Sequence, residues 1–450
     1  MVNPEQLNFF EWFFRNASSK LDLAALKRDW LLLSPNYDIN KWLLPLPPWA
    51  QRPYKDTGEQ AWNKLCQNFA IASNNSKPFC IYLHVPFCSS KCGFCDSYSF
   101  KLGGHQAQHI ETYVERLCYE LSLWSNQGNL RERPISTVHL GGGTPTFLGE
   151  KGLVRLVECC KELFNISPDT EWALESTVES LTPGVITEMH RLGFRRLHIG
   201  VQSLEEPVRL EIGRRNTPDE VVKKIQDTLA LGWVVTVDLV CGLPYQTLEG
   251  FITGLETLLE AGVDGVSLYE LLIYPQNSRW AEKNELSKQN HLPNFLMFLA
   301  GVQILEMRGF SKNLFNHWAT CRDKNIYFTF PTRDEDLLAV GTIADGVFGD
   351  YHYRHPRYAP YLRDAREGLP GLEGGLKRNF IESRLQPFRV ALLSGKLQPA
   401  LVEELAILHK TELIKQWLEH GLVKWLEDSS LELTGSGSWF TGNLLAQLSQ

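Results

Sequence analysis

Six strand-sized apolar runs with helical patterns between them span residues 77–310, and this alternation constrains the fold more than any other feature of the chain. The runs are Ile81–Val85, Ser136–Leu140, Trp172–Leu174, Leu197–Val201, Val234–Val240 and Val266–Leu272. Between the first two, Ile110, Tyr113, Val114, Leu117 and Leu121 share one helix face. Thr182-Pro183 and Thr217-Pro218-Asp219-Glu220 supply helix starts with Pro at the first position, the latter also a capping box. Strands alternating with helices argue for βα units and a parallel sheet. A full eight-unit barrel needs about 250 residues for the repeat alone. The expected architecture is therefore α/β, a partial (β/α)6 TIM-like barrel. Chemistry in such folds sits at the C-terminal ends of the strands. That singles out Glu175, Gln202, Asp238 and Glu270.

The flanks divide the chain into an N-terminal leader at 1–76, the barrel at 77–310, a connecting segment at 311–375 and a C-terminal part at 376–450. Five of the 13 tryptophans precede residue 63, and the leader reads as a helical layer on the barrel. In the connecting segment, Asp336–Gly341 reads as a strand running into a turn. Helices at Ala400–Ile407 and Glu412–His420, then a hairpin of Leu422–Leu426 and Leu431–Leu433, make the C-terminal part winged-helix-like. The net charge of −7 supplies no basic field for nucleic acid. The apolar runs are too short for a transmembrane segment. Met1–Gln6 lacks the basic, apolar start of a signal peptide, so a cytoplasmic location is expected.

Ten cysteines in such a chain do not read as a disulfide framework. Cys118, Cys159, Cys160 and Cys321 read as small buried hydrophobes. Cys88, Cys92 and Cys95 differ: they form C-x3-C-x2-C in Tyr82-Leu83-His84-Val85-Pro86-Phe87-Cys88-Ser89-Ser90-Lys91-Cys92-Gly93-Phe94-Cys95, just after the first strand. Three thiolates on one loop suit three irons of a [4Fe–4S] cube and leave the fourth open, whereas electron-transfer clusters use four cysteines. The alternatives are zinc held with His84 or Asp96, or three unligated thiols. No second cysteine pair lies downstream to complete a two-halved zinc site.

Gly141-Gly142-Gly143-Thr144-Pro145-Thr146 follows the second strand. Such a triplet lets backbone N–H groups form an anion-binding nest, although a plain tight turn needs the same residues. Gln202 ends the fourth strand, with Arg214 twelve residues on. Asp238 stands within an apolar strand, where a carboxylate is costly unless paired.

The cysteine spacing at the end of the first strand resembles the radical S-adenosylmethionine (SAM) superfamily. The resemblance implies a [4Fe–4S] cluster on Cys88, Cys92 and Cys95, with SAM on the open iron. It also implies reductive cleavage of SAM to a 5′-deoxyadenosyl radical. Tyr82–Cys95, Gly141–Thr146, Gly200–Ser203 with Arg214, Asp238–Thr247 and Val266–Tyr274 together resemble the oxygen-independent coproporphyrinogen III oxidase and haem-chaperone family. By that resemblance, SAM contacts fall at Tyr82, Phe94, Gly142, Gly143, Thr144, Glu175, Gln202, Arg214, Asp238 and Leu272.

Ser97 stands where the oxidase carries another cysteine, and Cys95-Asp96 looks more like the chaperone. The long leader, Asn316-His317-Trp318 and Trp439–Asn443 look more like anaerobic haem-degrading radical SAM methyltransferases. The resemblance thus implies an enzyme acting on a porphyrin or haem, an oxidoreductase or a methyltransferase using two SAM molecules. The non-enzymatic alternative is a haem chaperone. An electron donor such as flavodoxin or ferredoxin is also implied. Trp42, Trp49 and Trp62 offer flat surfaces for a macrocycle, and His317 and His352 are candidates for an axial haem ligand.

Overall fold

A computed structural model of the chain describes residues 4–15, 20–71, 76–95, 97–102, 104, 106–286, 291–363, 368 and 370–449. Asp96 lies outside the described residues. Six parallel strands form the centre: β1 (Phe79–Val85), β2 (Ile135–Gly142), β3 (Glu171–Ser176), β4 (Arg196–Gln202), β5 (Val234–Cys241) and β6 (Gly265–Glu270). They pair in sequence order, as a right-handed βα series does. The crossover helices are α1 (Gln106–Ser125), α2 (Gly149–Leu163), α3 (Pro183–Leu192), α4 (Pro218–Leu229) and α5 (Leu248–Glu260), with α6 (Leu292–Met307) after β6.

The local chemistry explains the starts. Thr217 Oγ1 accepts from Glu220 N while the Glu220 carboxylate accepts from Thr217 N, so α4 opens on a complete capping box. Thr182 caps α3 on Val185 N, and Gly193 closes it at φ 109°. Phe79, Cys80, Ile81, Leu83 and Val85 of β1 are all fully buried, as a strand covered on both faces must be. β6 ends at Glu270, so Leu271 and Leu272 lie past its end rather than within it.

Among the described residues, those beyond the six units extend the same sheet to 13 strands. β7 (Ser311–Leu314) and β8 (His317–Ala319) form a hairpin, and β8 adds antiparallel to β6. β9 (Asp336–Val340) adds to the outer side of β1, and it does so in parallel. β10 (Asp345–Phe348), β11 (Tyr351–Arg354) and β12 (Gly374–Lys377) continue antiparallel from there. A two-residue strand of the leader, Asp56–Thr57, closes that edge.

The leader helices Pro4–Phe14, Leu23–Leu33 and Gly58–Ile71 share one hydrophobic core with the barrel. Trp30 packs on Phe295 of α6, and Trp62 stands edge-on to Trp124 of α1. The C-terminal part carries helices Phe380–Ser394, Pro399–Ile407 and Thr411–Glu419, then the antiparallel pair Val423–Trp425 and Leu431–Leu433. Lys396–Leu397 adds a third strand to that pair. The chain's two flanks meet: Trp42 Nε1 donates to Trp439 O at 2.7 Å, and Asn443 bonds both Leu43 N and Lys41 O. Gly442 is required there, because a Cβ would lie 1.9 Å from Leu43 O.

Candidate functional site

The cysteine loop leaves the C-terminal end of β1 and is folded onto the glycine loop that leaves β2. Gly143 N donates to Val85 O at 2.7 Å and Thr144 N to Phe87 O at 2.8 Å. Thr144 Oγ1 lies 3.6 Å from Cys88 Sγ. A Cβ on Gly143 would lie 2.7 Å from Phe87 O and 3.0 Å from Cys88 Sγ, so only glycine admits this contact. Gly142 sits at φ 110°, with the His84 ring where its Cβ would be. The two motifs are thus one packed unit.

This arrangement corrects the expectation of an anion-binding nest. Gly142 N donates to Glu175 Oε2 at 3.0 Å, and the next two amides are spent on the cysteine loop. The glycines serve close approach between backbones, which consumes the N–H groups a nest would offer. His84, weighed as a zinc ligand, is turned away from the thiols: its Nδ1 lies 3.0 Å from Tyr82 Oη and its ring covers Gly142. Burial pushes its pKa down to about 4.

A cavity of about 460 Å³ opens at the C-terminal ends of the parallel strands. Cys88, Cys92 and Cys95 line it together with Phe94, Gly142, Gly143, Thr144, Glu175, Gln202, Arg214, Asp238 and Leu272. Of the residues expected in the site, Tyr82 alone is missing from this wall. Its ring stacks on Tyr327 at 4.9 Å and on His139 at 6.0 Å, and its hydroxyl is held by His84.

Each charged group in the wall has a definite setting. Glu175 accepts from Gly142 N and lies 3.1 Å from His139 Nε2. Burial alone would raise its carboxyl, but the His139 and Gly142 bonds outweigh that and hold it below the usual range. Asp238 Oδ1 lies 2.7 Å from His198 Nε2. Burial works against a charged His198, yet the adjoining Asp238 carboxylate raises its pKa overall. Arg214 reaches Glu179 at 3.3 Å, while its Nε is buried without a partner. Burial raises the Cys92 thiol, with the Arg214 charge pulling the other way. Gln202 sits at φ 72° beside a register shift in the β4–β5 pairing. Such a strained backbone is characteristic of ligand-contacting positions.

Residues the sequence reading passed over brace the wall from behind. Asn277 donates to Phe94 O at 2.9 Å and Leu272 O at 2.8 Å, tying the cysteine loop to the end of β6. Trp280 packs where a Cβ of Gly93 would be. His291 and Asn294 hold Glu270. The only sequence cue to Asn277 is a Pro-Gln-Asn-Ser turn, which is common to many loops.

Other expectations are corrected. His317 is enclosed, with Nδ1 2.8 Å from Ser267 Oγ and Nε2 2.7 Å from Asp323 Oδ2, so it has no ring nitrogen to offer a haem iron. His352 stacks on Trp49 at 4.5 Å, away from the cavity. Burial and the neighbouring Arg378, Arg389 and Arg52 push its pKa down to about 3. Of the three leader tryptophans, Trp42 lines the cavity, Trp49 packs on His352, and Trp62 packs on Trp124. Cys321 is exposed, because it follows β8 at the sheet's far end, whereas Cys118, Cys159 and Cys160 are buried.

The donor set fits a cluster with one open position and a zwitterionic ligand. Three soft thiols share one loop, and carboxylates and an incompletely bonded guanidinium face the same space. No helix among the described residues is long and apolar enough to cross a membrane.

Comparison with known proteins agrees with the geometry. Residues 82–258 match the model of the Radical SAM superfamily, and the chain carries that domain. The superfamily implies a [4Fe–4S] cluster and SAM as cofactors, and enzymes are among the relatives. The chain is 25% identical over 419 residues to anaerobilin synthase of Escherichia coli O157:H7, covering 89% of this chain and 91% of the relative. It is 26% identical over 275 residues to the heme chaperone HemW of Buchnera aphidicola, covering 60% of this chain and 70% of the relative. In fold it is similar to coproporphyrinogen III oxidase (HemN) from Escherichia coli, with a TM-score of 0.75 at 20% identity over 88% of this chain and 95% of that one.

Proposed function

We propose that this chain is a cytoplasmic radical SAM enzyme that acts on a porphyrin- or haem-type tetrapyrrole. The observation that carries the reading is the gathering of the three cysteines with nine of the ten expected SAM contacts (all but Tyr82) on one cavity at the strand ends. When bound, the cluster and SAM supply a 5′-deoxyadenosyl radical, with the electron coming from a donor such as flavodoxin or ferredoxin.

The chain's own groups have separable tasks. Cys88, Cys92 and Cys95 hold the cluster on a loop that Gly143 and Thr144 brace from below. Arg214 offers its unpartnered Nε to the SAM carboxylate, and Asp238 and Glu175 face the cationic side of the same ligand. Asn277 fixes the Phe94 and Leu272 carbonyls at the wall that would hold this ligand. The substrate class rests on the relatives, whose names include a heme chaperone and a coproporphyrinogen III oxidase. Trp42, Tyr269, Phe315 and Phe328 line the same cavity and provide aromatic walls for a macrocycle. In this reading 77–310 holds the cofactors, the leader 1–76 supplies a wall, and 311–375 and 376–450 brace the barrel.

The test is anaerobic reconstitution and reduction with SAM, followed by mass spectrometry with haem and coproporphyrinogen offered in parallel. An enzyme makes 5′-deoxyadenosine or S-adenosylhomocysteine in proportion to an altered tetrapyrrole. The first product marks hydrogen abstraction and the second methyl transfer. Saturable haem binding without turnover of either substrate would overturn the enzymatic reading in favour of a carrier.

A further inference from the structure

At the end of β6 the cavity wall contains a carboxylate that the cofactor assignment leaves unused. Glu270 lines the cavity, yet its side chain is only 3% exposed. Oε1 is fully engaged: His291 Nδ1 lies 2.5 Å away and Asn294 Nδ2 3.2 Å away. Oε2 is buried and has no partner. A buried acceptor left unpaired is costly, and native structures rarely keep one without a reason.

The support behind Glu270 is rigid. His291 is the N-cap of α6 and Asn294 lies in its first turn, so the positive end of a 16-residue helix backs the carboxylate. Asn294 is pressed onto Gly242, where no side chain fits. The His291 ring lies 6.4 Å from Trp42, the aromatic wall that the leader contributes. Burial raises the Glu270 carboxyl overall, and the His291 and Asn294 bonds offset only part of that. The result is a held carboxylate oxygen at the cavity wall, on the Trp42 side.

We propose that Glu270, oriented by His291 and Asn294, is the substrate-recognition carboxylate of this site and accepts N–H donors from a metal-free pyrrolic macrocycle. The inference rests on the tetrapyrrole reading and narrows it. A reduced macrocycle with saturated bridging carbons puckers, so its pyrrole N–H groups converge on one face and onto one acceptor. A metal-filled macrocycle has no N–H left to donate, and a carboxylate cannot select it in this way. Discrimination of this kind is strong, because the wrong ligand leaves the buried acceptor unpaired.

The experiment compares reconstituted wild type with Glu270→Gln, which keeps size and shape but turns an anionic acceptor into an amide. Coproporphyrinogen III and haem are titrated anaerobically by quenching of tryptophan fluorescence, and SAM by calorimetry. The expected result is coproporphyrinogen affinity weakened about ten-fold or more in the variant, with haem and SAM affinities within about two-fold of wild type. Glu270→Asp, which retains the charge on a shorter stem, should fall between the two and serves as the second variant if the amide disturbs folding. Unchanged coproporphyrinogen affinity overturns the proposal. So does an equal loss for haem, which would mean that the carboxylate does not read N–H groups, or a loss for SAM, which would place Glu270 in the cofactor site. Failure of wild type to bind either macrocycle would instead remove the tetrapyrrole reading on which the proposal stands.

Discussion

The upper rim of the barrel and its interior below are built from the same residue types and treat them in opposite ways. Inside, Arg196 Nε donates to Asp323 Oδ1 at 3.0 Å, His317 closes on Asp323 Oδ2, and His198 Nδ1 lies 2.6 Å from Thr236 Oγ1. Asp323 also accepts from Asn325 N, so that carboxylate is saturated. At the rim, Arg214 Nε and Glu270 Oε2 are buried with nothing to bond. An arginine and an acid therefore close on each other in one layer and keep an atom unbonded in the next. Residue type does not separate the two layers. For these arginine and acid side chains, what separates the layers is whether the protein itself bonds the atoms named.

The sharpest way to break this contrast is at the cysteine loop. Cys92→Ala should abolish the absorbance near ~400 nm that reports a cysteine-ligated cluster, and with it all SAM cleavage. Chemical denaturation should change far less, because Cys92 lies in a loop at the rim. Retention of the visible spectrum would reject the ligand assignment.

The interior should behave in the reverse manner. Asp323→Ala leaves Arg196 and His317 buried without their partner and should cost about 3–5 kcal/mol in urea unfolding, with cluster content falling only as the protein unfolds. Acid adds a sign to the same test. Burial opposes ionisation of Asp323, but the Arg196 charge and the His317 bond hold its carboxyl below the usual range. Its contribution is therefore intact above the unfolded value of about 3.9 and is lost progressively as pH falls below that value towards the lower folded one. Unfolding followed from about pH 5 to 3 should show a steeper loss for wild type than for Asp323→Asn. Parallel curves would show that this pair does not govern the acid response.

A smaller effect is expected where rim and interior touch. Asp238→Ala should weaken SAM affinity roughly ten- to a hundred-fold by calorimetry while the cluster still assembles. A variant that will not fold would place Asp238 with the interior network, through its contact with His198. Smallest is Asn277→Ala, which removes two hydrogen bonds to backbone carbonyls. It should cost about three- to ten-fold in SAM affinity with an unchanged cluster spectrum.

These contrasts also explain what could be read from the sequence. The six parallel strands were legible because each is a short apolar run, and the cysteine and glycine loops because they are dense local strings. The use of the glycine amides was not legible. It depends on Val85 O, Phe87 O and Glu175 arriving at the same place, which is a matter of register. The fate of His317 was hidden for the same reason. Its ring is satisfied by Ser267, fifty positions earlier, through the antiparallel pairing of β8 with β6. Tyr82 shows the limit of a matched string: the motif is present, but the ring is stacked with Tyr327 and His139 and its hydroxyl is held by His84. Glu270 was visible as a polar strand end, while its partners His291 and Asn294 lie across a loop that carries no periodic signal.

The clasp between Trp42 and Trp439 joins residues 397 positions apart, and every strand of the barrel is made between them. A chain emerges from the ribosome N-terminus first, at roughly 5–20 residues per second. The cysteine loop and all six strand ends are therefore complete well before the backbone that anchors Trp42 exists. For that interval, tens of seconds at such rates, the mouth of the nascent barrel is unlatched on its leader side. The order of synthesis thus fastens the Trp42 side of the cavity last.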